Sequence, residues 1–218
     1  MNILPTVAIH KHLYCCVFLS YIAAENTVVD KYGAKQRRQI MQAIDKYKCA
    51  LSQETEQLLN QQVAREAQSS ASYLAMASWS DRQGYKHAAS FLYDHAEEER
   101  AHMLKLFHYI NDVGGHALQP AITDIQHDFS SLREIFELVL VHEVKVSQAI
   151  HRLVDHCWTH KDFATFNFLQ WFVTEQIEEE TTARRNLEFF DVIGEAGVGL
   201  YMIDKEIGSF KEEEDEEA

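Results

Sequence analysis

Four stretches of the sequence repeat apolar residues at helical spacing, and a carboxylate interrupts each repeat near its middle. Steps of three and four residues place side chains on one face of a helix, so each stretch predicts a helix with that face in the core. The interrupting residues are Glu66, Glu99, Glu143 and Glu179. Because the middles of antiparallel helices of similar length meet at one level, we expect these four glutamates to converge inside a bundle.

Capping residues predict where the helices begin and end. Ser52 and Asp162 can each accept a hydrogen bond from the first turn of a helix, and Ser131 with Glu134 has the spacing of a capping box. A glycine follows the predicted end of the first, second and fourth helices, as at a helix C-terminus. The predicted helices span residues 52–82, 85–113, 131–160, 162–193 and 200–207.

The segment between the second and third helices determines the topology. A helix of 30 residues is about 45 Å long, and the 17 residues 114–130 can reach about 56 Å when extended. This segment can therefore cross the whole bundle, whereas the short links near Gly84 and Lys161 allow only antiparallel neighbours. The sequence predicts an all-α four-helix bundle with one long crossover between the second and third helices, plus a short fifth C-terminal helix.

The two ends of the chain differ in charge from the predicted bundle. Residues 1–50 carry seven basic and three acidic residues, and the terminal KEEEDEEA carries six acids against one lysine. We expect an N-terminal extension at 1–50, the bundle with its fifth helix at 51–210, and a disordered acidic tail at 211–218. The acidic bundle, in a chain of net charge −14, disfavours nucleic acid and membrane partners and attracts cations.

An apolar run, LYCCVFLSYIAA, occupies residues 13–24 of the extension. It is too short for a membrane span, which needs about 20 residues. It has some features of a secretion signal, but we prefer Met41 as the true start of the protein. None of the four cysteines forms a CxxC pair, so we expect a reduced, cytoplasmic compartment, with secretion as the alternative.

Converging carboxylates require a cation between them. An unpaired buried ion costs several kcal/mol, and no lysine or arginine lies on the four apolar faces to neutralise the charge. His102 and Gln176 lie on these faces beside the glutamates. Carboxylates with an imidazole suit Fe(II) and, less selectively, Mn(II) or Zn(II). The sequence therefore predicts a metal centre, with Glu99 as the candidate bridge between two ions.

The spacing around this centre departs from that of a symmetric di-iron bundle. Such bundles take one Glu from each of two helices and a Glu-x-x-His from each of the other two. Glu99 and His102 have this spacing, but the second expected motif is Gln176-Ile-Glu-Glu179, which has no imidazole. Weaker ligation of one ion favours metal that binds, is oxidised and moves on, over an enzyme that retains both ions.

Several segments of the sequence resemble ferritins, in register over residues 51–210. They are REAQSSASY, FLYDHAEEERAHM, FNFLQWFVTEQIEEE and GLYMIDKEI. The glutamates of the fourth helix are similar to those of the prokaryotic, non-haem type. The resemblance implies iron storage and detoxification by a ferroxidase, which oxidises Fe(II) with dioxygen or hydrogen peroxide. It also implies a homo-oligomeric cage of twenty-four subunits that is filled with ferric oxyhydroxide mineral.

The resemblance also implies roles for individual residues. Tyr73 and Trp171 match aromatic residues beside the centre, where they pack or carry an electron, and Tyr73 is expected to assist catalysis. His95 is expected to be a hydrogen-bonded core histidine. The three implied iron sites are formed by Glu66, Glu99 and His102 with Gln176 nearby, by Glu99, Glu143 and Glu179, and, toward the cavity, by Glu98, Glu175, Glu178 and Glu179.

Other functions remain open at this point. The chain could be a di-iron redox enzyme that removes peroxide or oxygen and stores no mineral, or a cage subunit with an impaired centre. A haem-containing bacterioferritin is disfavoured, because that family keeps the second Glu-x-x-His. Glu175 and Glu178 could also belong to a solvated face.

Overall fold

The computed structural model describes residues 36–41 and 50–207, which contain helices and no strand. Residues 36–41 are helical and belong to one compact unit, while residues 50–207 belong to another. The predicted all-α class is confirmed. The apolar run at 13–24 and the acidic tail at 211–218 lie outside the described residues, and the division of the chain into extension, bundle and tail stays a prediction.

Residues 50–207 contain five helices, close to the predicted ranges. They are α1 (Gln53–Gln83), α2 (Lys86–Asp112), α3 (Leu132–His160), α4 (Phe163–Ile193) and α5 (Gly199–Glu206). Ser52 and Asp162 cap α1 and α4 through their side chains, as expected. One detail of the predicted capping box is wrong, because Glu134 accepts from the backbone N–H of Ser130 rather than from that of the N-cap Ser131. None of the described helices is long and apolar enough to cross a bilayer.

The segment between α2 and α3 runs along α1 from near its start to near its end. It therefore crosses the bundle as predicted and makes α3 antiparallel to α1. Polar side chains of α1 bind its backbone, and an aromatic pair fixes its far end. The contacts, in order along α1, are Asn60 Oδ1 with the N–H of Leu118 at 2.7 Å, Gln68 Nε2 with the carbonyl of Thr123 at 2.7 Å, and Trp79 with Phe129 at 6.0 Å between ring centroids.

The short helix α5 closes the end of the bundle where α2 begins. The N-cap position of α2 offers no side-chain acceptor, and Asp204 on α5 replaces it by accepting from the N–H of Ala88 at 2.9 Å. The turn before α5 brings two backbones together, since a Cβ at Gly199 would lie 1.9 Å from the carbonyl oxygen of Gly194. Only glycine fits this approach, so α5 depends on it for its position.

The buried face of α4 differs in part from the predicted one. The apolar repeat of this helix predicts Val173 and Leu187 on the core face, but both are only half-buried, whereas Phe172 and Asn186, one residue earlier, are buried. One row of the face, at steps of seven residues, is buried along the whole helix, and the other row lies one residue earlier than predicted. The buried row is Leu169, Gln176, Ala183 and Phe190. Gln176, near the middle of α4, is buried as expected.

Candidate metal centre

Carboxylates from three helices are buried at one level of the bundle. Glu66 on α1, Glu99 on α2 and Glu143 on α3 each expose 4% or less of their surface. His102 and Gln176 are buried beside them. No lysine or arginine is among the buried residues of the part of the chain that the structure describes. The negative charges are therefore not neutralised by a buried basic side chain.

The first metal-capable group consists of Glu66, Glu99 and His102, whose ligand atoms lie within 4.8 Å of one another. Gln62 donates to Oε1 of Glu66 at 2.8 Å. The second oxygen of Glu66 and Oε2 of Glu99 are buried without a hydrogen-bond partner, and Nδ1 of His102 lies 3.6 Å from the latter. A buried acceptor without a donor is costly, and a cation among these atoms would satisfy both oxygens.

The second metal-capable group consists of Glu99, His142 and Glu143. Tyr73 donates its hydroxyl to one carboxylate oxygen of Glu143, and Gln176 Nε2 donates to the other at 3.2 Å. Glu99 belongs to both groups, which is the arrangement that a bridge between two cations requires. Gln176 was expected near the first iron, but it lies beside Glu143, a residue of the predicted second iron site.

Further carboxylates lie on the side of the centre that faces α4. His95 Nε2 is 3.3 Å from Glu179 Oε2, and His102 Nε2 is 3.9 Å from Glu175 Oε1. His95 also lies 3.4 Å from Glu98, and its Nδ1 is 3.2 Å from the carbonyl of Phe91, as expected for a core histidine. The carboxylates of the predicted third site therefore lie in two groups, Glu98 and Glu179 beside His95, and Glu175 and Glu179 beside His102. The exposed Glu178 joins none of the metal-capable groups found among the described residues.

The crowding of carboxylates changes their acidity. Burial, followed by the charges of Glu66 and Glu143, raises the pKa of Glu99 well above its usual value. Burial and the charge of Glu179 raise the pKa of Glu143 to about 7. Burial also raises the pKa of Glu175, against the opposing effect of His102. Without metal, part of the centre is therefore protonated near neutral pH, and a bound cation would displace those protons.

The metal-free protein is expected to lose stability as the pH rises from 5 to 8. The pKa of Glu143 is about 7 in the folded protein and near 4.5 when unfolded. Between pH 4.5 and 7, the folded state therefore holds a proton that the unfolded state has released. The stabilisation that is fully present below pH 4.5 is lost as the pH rises through 7. The loss should reach a few kcal/mol. Urea unfolding of chelator-treated protein measures it.

Glu143→Gln should flatten this pH dependence, because the amide does not titrate. The control is Glu137→Gln, on the same helix but exposed, which should keep the wild-type slope. A wild-type free energy of unfolding that stays constant or rises between pH 5 and 8 would contradict the prediction.

Two residues at the centre were not predicted from the sequence. His142 precedes Glu143 and is therefore about 100° away round the helix, off the predicted core face. It lies within hydrogen-bonding distance of the Ser69 hydroxyl, and burial lowers its pKa to about 4, so it is a neutral candidate ligand. It also lines a cavity of about 730 Å³ between α1, α3 and the crossover. Gln62, the donor to Glu66, is the second missed residue.

Trp171 lies at the edge of the centre rather than within it. Its ring is edge-on to His102, with centroids 5.3 Å apart, and Nζ of Lys105 lies 3.3 Å from the indole centroid. About a third of the side chain is exposed. Trp171 therefore contacts one candidate ligand and shields it from solvent.

Comparisons with known proteins identify relatives of this chain. Residues 56–191 match the family model described as a ferritin-like domain. A probable bacterial non-heme ferritin-like protein of Haemophilus influenzae is 43% identical over 159 residues, which cover 73% of this chain and 96% of the relative. A bacterial non-heme ferritin of Campylobacter jejuni is 41% identical over 157 residues, which cover 72% and 94%.

Solved structures similar to this fold are also ferritins. An open pore ferritin from the archaeon Archaeoglobus fulgidus matches with a TM-score of 0.70 and 37% identity, over 73% of this chain and 97% of that one. On the evidence of its sequence motifs, its fold and these relatives, the chain belongs to the ferritin family.

Proposed function

We propose that the chain stores and detoxifies iron, as a ferroxidase that oxidises Fe(II) and deposits Fe(III) as mineral. The observation that carries this proposal is the pair of buried carboxylate oxygens, on Glu66 and Glu99, that lack a partner among the described residues. Such oxygens bind cations, and a set of carboxylates with imidazoles suits Fe(II). Relatives named bacterial non-heme ferritins support iron as the cation.

In this proposal, iron is the substrate, and the buried residues hold two ions at a time. The first iron is held by Glu66, Glu99 and His102, and the second by Glu99, Glu143 and Glu179, with Gln176 alongside. As Fe(II) binds, Glu99 and Glu143 lose the protons that their raised pKa values retain. Tyr73, whose pKa is raised well above 10 mainly by burial, stays protonated and donates to Glu143.

The oxidation step transfers two electrons. Each of two Fe(II) ions gives one electron to dioxygen, which takes up two protons and leaves as hydrogen peroxide. With hydrogen peroxide as the oxidant, two electrons and two protons produce two waters. Each Fe(III) then reacts with two waters to give one FeOOH and three protons. The carboxylates can accept some of the released protons. Repeated turnover also requires that the centre does not retain Fe(III).

A series of carboxylates of increasing exposure supports the release of Fe(III) from the centre. The exposed fraction of the side chain is 5% at Glu99, 11% at Glu179, 29% at Glu175 and 42% at Glu98. An ion that moves along this series exchanges buried ligands for hydrated ones. We assign Glu98, Glu175, Glu178 and Glu179 to this third, transient site.

Storage requires an enclosed space, so we further propose a hollow homo-oligomeric cage, of twenty-four subunits by analogy with ferritins, in the cytoplasm. The relative from Archaeoglobus fulgidus is described as an open pore ferritin, and this supports a shell with openings. In such a shell, the exposed end of the carboxylate series would face the interior.

The experiment that tests storage is aerobic loading of metal-free protein with Fe(II), followed by size exclusion and a count of irons per chain in the eluted particle. Storage predicts a large particle that contains far more irons than the buried centre can hold. Saturation at two irons per chain, with no further growth, would contradict it. That result would instead identify a di-iron redox enzyme that removes peroxide or oxygen.

A further inference from the structure

A separate group of metal-capable side chains lies where α1 begins and α3 ends. Glu54 belongs to the first turn of α1, and His156 and His160 belong to the last two turns of α3. One ligand atom from each lies within 4.8 Å of the others. Glu54 is twelve residues before Glu66, which is about 18 Å along the helix. We propose that this group, the terminal site, binds a divalent transition-metal cation independently of the buried centre.

The two imidazoles are arranged as ligands of one ion. Residues four apart on a helix lie on the same face, and the rings of His156 and His160 are 4.2 Å apart between centroids. Nδ1 of His160 lies 2.9 Å from the carbonyl oxygen of His156, and a proton donated there leaves the Nε2 lone pair free. Metal-binding histidines commonly donate their other ring N–H to a backbone carbonyl in this way.

The surroundings of the terminal site favour a positive charge. The last carbonyls of α3 give its C-terminal end a partial negative charge, which stabilises a cation there. Glu54 adds a full negative charge from α1. The ammonium of Lys161, the residue after His160, would oppose a cation, but it lies over the ring of Trp158, 5.2 Å from the ring centroid. The hydroxyl of Thr55 lies 3.3 Å from Nε2 of His156, and a hydrogen bond between them fixes the orientation of this imidazole.

The ligand types indicate which metal binds. Two imidazoles and one carboxylate, partly exposed, leave positions for water, as in open zinc sites. For such nitrogen-rich sets, Zn(II) and Cu(II) bind more tightly than Fe(II). The buried centre, by contrast, has more carboxylates than imidazoles. The terminal site should therefore bind Zn(II) more tightly than Fe(II), while the buried centre accepts Fe(II).

The test is a Zn(II) titration of metal-free protein by calorimetry, with zinc counted per chain. His156→Ala and His160→Ala should each bind one zinc fewer per chain than the wild type. The matched control is His151→Ala, an exposed histidine on the same helix outside the group, which should bind as the wild type does. The same zinc count in all four proteins would overturn the proposal.

A second measurement locates the ion without any substitution. In crystals soaked with Zn(II), anomalous difference density is expected between Glu54, His156 and His160. Zinc in the buried centre with none at the terminal site would overturn the proposal. Neither outcome depends on iron storage, since zinc binding is measured without iron. The buried centre is tested separately by the initial rate of Fe(II) oxidation of His160→Ala in zinc-free buffer, which should equal the wild-type rate.

Discussion

Replacing Glu99 with alanine is expected to slow the initial aerobic oxidation of Fe(II) at least about a hundredfold. Removing a hydrogen-bond partner of a metal ligand already costs 10- to 100-fold in affinity or activity. Glu99 belongs to both buried metal-capable groups, so its loss removes a ligand from both irons at once. Stopped-flow absorbance of Fe(III) formation, at two Fe(II) per chain, measures the rate.

The control for this prediction is Glu97→Ala, which lies on the same helix, two residues earlier, on the exposed face. It also removes one carboxyl group from α2 but no candidate ligand, so its rate should equal that of the wild type. An oxidation rate in Glu99→Ala within a few-fold of the wild-type rate would contradict the assigned role.

Stability separates loss of a ligand from damage to the fold. Burial and the neighbouring Glu66 and Glu143 raise the pKa of Glu99, so its charged form destabilises the metal-free protein. The isosteric Glu99→Gln should therefore be slow in oxidation yet at least as stable as the wild type at pH 8. A slow variant that is also less stable would indicate a disturbed bundle.

Much of this architecture follows from local signals in the sequence. Ser52 and Asp162 mark helix starts because their side chains accept from the backbone N–H three residues later, a bond that does not depend on the rest of the chain. The burial of Glu66, Glu99 and Glu143 at one level of the bundle is predictable, because helices of similar length pack with their middles side by side. Both signals are short-range or geometric, and the structure agrees with them.

Contacts that depend on the orientation of side chains from different helices could not be predicted in this way. His142 lies off the predicted core face of α3, yet it reaches Glu99 on α2. Gln62 gave no signal either, because an amide on a helix is usually solvated. On the fourth helix, Leu169 and Ala183 are buried as the repeat predicts, but Phe172 is buried in place of Val173, because a step of three and a step of four fit the same pattern.

Replacing Tyr73 with phenylalanine is expected to lower the oxidation rate at pH 6.5 about 10-fold or more. The change removes the hydroxyl that donates to Glu143 and keeps the ring, whose centroid lies 5.6 Å from that of His95 and 6.0 Å from that of His142. Packing is therefore retained. The control is Tyr93→Phe, an exposed tyrosine on α2.

The pH dependence of this defect distinguishes a hydrogen-bond donor from an electron carrier at Tyr73. The bond from Tyr73 lowers the pKa of Glu143, so its loss raises that pKa above the wild-type value of about 7. Near and below neutral pH, Glu143 then holds a proton that Fe(II) must displace, and a higher pH removes the handicap. If Tyr73 acts as a donor, the ratio of wild-type to variant rates should fall steadily from pH 6 to pH 8. A ratio that stays constant over this range would contradict the donor role and favour loss of an electron carrier, because phenylalanine cannot be oxidised at either pH.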